Sequence, residues 1–244
     1  MFYVYKSLVW AHIFAGSLAL LLFWAPMLAA KGSPWHRQSG RWYANLLYTV
    51  SLSGIFCCVL VLMAPTYFKP EHFSPGTDVM AEIATIRLFW SFLALLSVLS
   101  WVSIRQAMLV VKAGPERLLL KSMGHLGGIA LLMLLALYVF WLGWQHAQLL
   151  LQIFSGVALL SAISSLRYIY RLNVGRLEMI RQHITAMLGS GIAIYTAFAA
   201  FGGRHLLTFS AEGQLLSWLL PSVIGVSLIL WYNRQYQLPT KTMP

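Results

Sequence analysis

Residues 122–166 read SMGHLGGIALLMLLALYVFWLGWQHAQLLLQIFSGVALLSAISSL. No Asp, Glu, Lys or Arg interrupts this run, which is about twice the roughly 20 residues a helix needs to cross a bilayer core. It is broken only by the polar stretch Gly143-Trp-Gln-His-Ala-Gln148, so the run predicts two helices joined by a short turn. Working outward, the other charge-free windows are Ser7–Ala30, Trp42–Phe68, Leu88–Ile104, Gln182–Gly203 and Gly213–Asn233. Each is long enough for one span. The expected fold is therefore all-α: a polytopic membrane helix bundle with seven transmembrane helices, forming a single domain over residues 1–244. The first window is too long for the apolar core of a cleavable signal and is expected to remain as a span.

Composition agrees. Of 244 residues, 59% are apolar and 9% charged, against about a quarter charged in an average soluble domain, and the mean hydropathy is +0.73. A soluble enzyme, a disordered tail and a disulfide module are all excluded. The formal charge of +11 has its commoner source, in a membrane chain, in basic loops on one side; no nucleic-acid partner is expected. With seven spans, thirteen basic residues (among them Lys31, Arg37, Arg105, Arg117 and Arg171) fall on one side, and only Lys6, Lys69, Arg87 and Arg204 on the other. The positive-inside rule then puts the N-terminus outside and the C-terminus in the cytoplasm of a cell with an inner (plasma) membrane. Arg87, with Asp78 and Glu82 upstream, reads as a structural charge paired to Asp78 or a backbone carbonyl. Cys57 and Cys58 are adjacent and inside a window, a poor geometry for bridging one another.

The windows contain no Asp or Glu, which weakens a proton-driven transporter reading, since buried carboxylates are the commonest engine there. No phosphate-cradling Gly-rich loop, Cys-x-x-Cys, His-Glu-x-x-His or Gly-x-Ser-x-Gly motif is present, and no motif assigns an enzymatic activity. Histidines remain. On the cytoplasmic side lie His36 before the second helix, His125 about a turn into the fourth, and His183 opening the sixth, with Met187 four residues later on the same face. On the other side, His12 lies in the first turns of the first helix, His146 in the turn between the fourth and fifth, and His72 and His205 in loops. Three imidazoles and a thioether at similar depth could ligate haem iron, copper or zinc. A structural reading stands beside that one: a boundary histidine bonded to headgroups, carbonyls or a neighbouring hydroxyl.

His12 and Gly16, then Lys31-Gly32, His36-Arg37, Gly40 and Tyr43 resemble the N-terminal signature of the predicted membrane proteins known as domain of unknown function 2306. A second stretch resembles relatives of that family: His183-Ile-Thr-Ala-Met187, Ile192-Ala193, Thr196-Ala-Phe198 and Leu220-Pro221-Ser-Val-Ile-Gly225. The likeness covers most of the chain. It implies a compact multi-pass membrane protein whose matching histidines are His12, His36 and His183, and it carries no settled activity. Gly191 departs from the pattern, where Tyr is expected.

Three function classes follow. The first is a membrane redox protein binding b-type haem, with quinone as a second ligand, through His125 and His183 as axial pair and His36 or Met187 as substitute; His12 belongs to the same candidate set. The second is a zinc or copper centre of His36, His125 and His183 in a metal-dependent membrane hydrolase or metal-handling protein. In outline it resembles the haemolysin III and alkaline ceramidase group, without that group's second His on the last helix or its embedded Asp. The third is a non-enzymatic accessory subunit, partnered by the lipid bilayer and by other membrane subunits or copies of itself.

Overall fold

In hydrocarbon every backbone N–H and C=O must be satisfied within the chain, and an apolar segment does this by closing its own i→i−4 ladder. The computed structural model describes residues 2–199 and 211–236. Nine α-helices occur among them: α1 (Phe2–Leu22), α2 (Trp24–Leu28), α3 (Pro34–Met63), α4 (Pro65–Phe68), α5 (Val79–Ala113), α6 (Met123–Gln145), α7 (Leu149–Tyr170), α8 (Arg176–Ala197) and α9 (Ala211–Gln235). Short 3-10 turns cover Pro70–His72, Gly114–Glu116 and Leu118–Lys121. The described residues contain no strand.

Six helical stretches are long and apolar enough to cross a membrane: Phe2–Leu28, Pro34–Met63, Val79–Glu116, Met123–Gln145, Leu149–Tyr170 and Leu216–Gln235. This is a multi-pass helical membrane protein. The sequence window at Gln182–Gly203 corresponds to α8, a helix of 22 residues. Arg176, Glu178, Arg181 and His183 fill its first turns and keep its mean hydropathy below that of the six; the end of that window lies outside the described residues.

The chain divides into two compact units. The first combines the described parts of Met1–Val102 and Gly127–Ser164, the second those of Ser103–Leu126 and Ser165–Pro244. In the first unit α1 packs along α3 through small residues, with Ala15 and Ala19 buried on α1 and Ser51 and Gly54 on α3. Small residues let helices approach closely where lipid supplies no hydrophobic drive. Trp10, Phe14, Leu21 and Phe56 point outward, as hydrocarbon allows. The expected turn between the fourth and fifth spans is there: α6 ends at Gln145, α7 starts at Leu149, and Ala147 takes φ 50°. Gly143 permits the closure. A Cβ there would stand 2.9 Å from Leu151 Cβ and 3.1 Å from the Gln148 carbonyl, while the Gly143 carbonyl accepts from Gln148 N at 2.8 Å and Gln152 Nε2 at 3.0 Å.

In the second unit α8 packs on α9 where Gly225 meets Ile192; a Cβ on Gly225 would lie 2.1 Å from Ile192 Cγ1. Arg117, in the left-handed region at φ 56°, turns its guanidinium onto the end of α7. It donates to the carbonyls of Tyr168 at 3.0 Å and Arg171 at 2.6 Å. Those are carbonyls the helix itself leaves without partners, and a cation suits the negative end of the helix dipole.

Candidate functional site

The histidines divide by how their rings are held. In the first unit, α1 begins at Phe2, so His12 lies about 15 Å along it at about 1.5 Å per residue. It stands near the middle of α1, not in its first turns. Its Nδ1 is 2.9 Å from the Val50 carbonyl and 3.1 Å from Ser53 Oγ. Gly54 leaves room for the ring, since a Cβ there would meet His12 Cε1 at 3.4 Å. His36 stands in the first turn of α3, where Ser33 caps the helix by accepting from His36 N at 3.1 Å. Its Nδ1–H donates to the Pro26 carbonyl at 2.8 Å. The Pro26 carbonyl also accepts from Lys31 Nζ at 3.2 Å, and Lys31 donates to Met27 O as well. His36 and Lys31 thus close the C-terminal end of the first span. Burial pushes the Lys31 ammonium below its ordinary pKa.

In the second unit, one turn of α5 receives two imidazoles from two other helices. His125, fully buried on α6, places Nε2 2.6 Å from Gln106 Oε1. An amide oxygen can only accept, so in this assignment Nε2 carries the proton and the neutral ring presents Nδ1 as a lone pair. Nδ1 is buried without a hydrogen-bond partner, and so is Gln106 Nε2. The Arg105 guanidinium lies beside the same turn of α6, 3.7 Å from where a Cβ on Gly124 would stand. His183, on α8, donates from Nδ1 to the carbonyl of Ala107 at 2.9 Å, one residue along α5 from the His125 partner. Met187 follows His183 by one turn of α8.

His125 and His183 bond to consecutive residues of one helix. His36 belongs to the other unit. Among the described residues no group of three or more His, Cys, Asp or Glu side chains is placed to hold a metal ion, the set His36, His125 and His183 included; each of these rings instead has its own local hydrogen bond. His12, His36 and His183 share one feature. Each gives Nδ1–H to a main-chain carbonyl, the bond that fixes the tautomer with Nε2 as the basic nitrogen in metal-ligating histidines. His125 is held the other way round.

His146 sits in the α6–α7 turn and His72 pairs with Glu82 at 2.8 Å; His205 lies outside the described residues. The pairing expected for Arg87 is not found. Glu82 is taken by His72, and Asp78 caps α5 by accepting from Met80 N and Ala81 N at 3.0 and 3.2 Å. Arg87 has no hydrogen bond or ion pair to the described residues. Sequence reasoning also missed Gln106. Its signal is the adjacent pair Arg105-Gln106 directly after a charge-free window, where a polar side chain carried on by the same helix must find a buried partner. Comparison of the chain with family models, with curated proteins and with solved structures gives no match.

Proposed function

We propose that this is a seven-span protein of the cell inner membrane, N-terminus outside, of the kind resembled by domain of unknown function 2306. In this reading α8 is also a span, the sixth of seven in chain order, and the Arg105–Ala107 turn faces the cytoplasm. Its work is redox: it holds b-type haem, with quinone as electron partner, at the place where His125 and His183 meet α5. The observation that carries this reading is the delivery of two imidazoles from separate helices to consecutive residues of a third. His183, with Nδ1–H held by a carbonyl, would offer Nε2 to a haem iron. His125 would hold the iron as well only by giving up its bond to Gln106.

The reduced-minus-oxidised absorption spectrum of the purified full chain, expressed with haem precursor, tests it. Soret and α bands are expected, lost in His183→Ala and shifted in His125→Ala. A spectrum without visible bands, together with no zinc or copper by elemental analysis, overturns it and leaves the accessory-subunit reading. That second reading is favoured by one observation: every described histidine of the set already has a partner within the chain.

A further inference from the structure

An open groove of about 250 Å³ lies within the first unit, between the start of α5 and the end of α6. Met80, Ile83, Leu88 and Leu142 form its apolar walls, and Arg87, Tyr138 and His146 are the polar groups that line it. Arg87 is exposed and both carboxylates within reach along the chain are committed elsewhere, Glu82 to His72 and Asp78 to the α5 N-terminus. A guanidinium at the edge of a membrane span needs an anion or water, and this one has no anionic partner among the described residues.

Its depth follows from the chain. Arg87 directly precedes the charge-free run Leu88–Ile104, about 25 Å of helix at about 1.5 Å per residue, close to the thickness of a hydrocarbon core. Arg87 thus stands at headgroup level. The aromatics agree: Trp141 and Trp144 are exposed on α6, with Trp141 stacked on Tyr138 at 6.3 Å, and Trp and Tyr concentrate at membrane interfaces. An apolar groove with a planar cation, a phenol and an imidazole at its polar level has the chemistry of a site for a chain-bearing phosphate.

We propose that this groove binds one anionic phospholipid, its phosphate held by Arg87 and His146 and its acyl chain laid along Met80, Ile83, Leu88 and Leu142. Arg suits this role because its fork can make two parallel hydrogen bonds to one phosphate. The proposal is independent of the haem reading, because it uses no residue of the second unit.

Native mass spectrometry of the full chain in mild detergent, titrated with phosphatidylglycerol or phosphatidylcholine of identical acyl chains, reads the site. One phosphatidylglycerol is expected to stay on each chain. Arg87→Gln should weaken its binding about tenfold, the worth of one charge-assisted hydrogen bond, whereas Lys6→Gln, which removes a cation lying over the Phe2 ring, should leave it unchanged. Should Arg87→Gln unfold, His146→Gln reads the same site with a smaller loss. Equal retention of the two lipids by the wild-type chain, or unchanged phosphatidylglycerol binding in Arg87→Gln or its substitute, overturns the proposal. Displacement of the lipid by inorganic phosphate also overturns it, in favour of a free-phosphate site.

Discussion

In the first unit, buried polarity is matched almost group for group. His12 reaches both the Val50 carbonyl and Ser53 Oγ, while Ser51 and Ser53 return their hydroxyls to their own helix. In the second unit, the His125–Gln106 bond is short and buried, yet His125 Nδ1, Gln106 Nε2, Tyr168 Oη, Thr196 Oγ1 and Asn233 Oδ1 lie buried without hydrogen-bond partners. Of the buried atoms of this kind among the described residues, the first unit supplies Ser155 Oγ. An unpartnered buried polar atom costs about 1–3 kcal/mol. Several of them in one unit mark a local excess of buried polarity over the hydrogen bonds that the described side chains make there. The first unit is built to be held together; the second is built with unmet bonds.

The contrast can be broken most directly at Gln106. Gln106→Leu leaves both ring nitrogens of His125 buried and unpaired, and is expected to cost about 2–3 kcal/mol in thermal or denaturant unfolding in detergent. The double variant Gln106→Leu/His125→Leu removes both partners and should regain most of that loss, because replacing a buried pair by apolar groups is close to neutral. A double variant as unstable as the single one would mean that the pair holds the unit together, as His12 does in the first.

A smaller effect is expected from His12→Ala. It deletes an interhelical tie whose acceptors keep their own helical partners, so about 1 kcal/mol should go. A loss larger than that of Gln106→Leu would reverse the ranking of the two units.

The smallest effect sharpens the first unit alone. The Lys31 pKa is lowered by burial, so between its folded value and the ordinary 10.5 the unfolded chain binds more protons. Stability should therefore rise with pH across that alkaline window, and this slope should vanish in Lys31→Met. An unchanged slope in the variant would assign it to another group.

How much of this could be read from the chain differs by feature. The α6–α7 turn was legible because Gly143 and the polar residues to Gln148 interrupt an otherwise apolar run. Span boundaries were legible less well, since windows drawn by charge stop at Ile104 whereas α5 continues to Ala113. A charge does not end a helix; Gly114-Pro115 does, by a positive φ at Gly114 and a proline that cannot donate. His125 and His183 reach neighbouring residues of α5, and both lie within about two turns of the start of their helices. The part of His36 in closing the first span was not legible, for it depends on how the chain folds back from Pro26 through the left-handed Gly32. Gln106 was missed because only the packing of α6 against α5 puts it opposite an imidazole.

The tight closure at Gly143 has a further consequence for biogenesis. With only residues 146–148 between them, α6 and α7 are expected to enter the bilayer as one hairpin, and the link that would cross with them has no formally charged residue. Exposing the turn's backbone midway through hydrocarbon would leave its amides unsatisfied, so entry is all or none. A hairpin adds two crossings or no crossing at all. Failure to insert it would therefore change the number of crossings by two and leave the sidedness of whatever follows it unaltered.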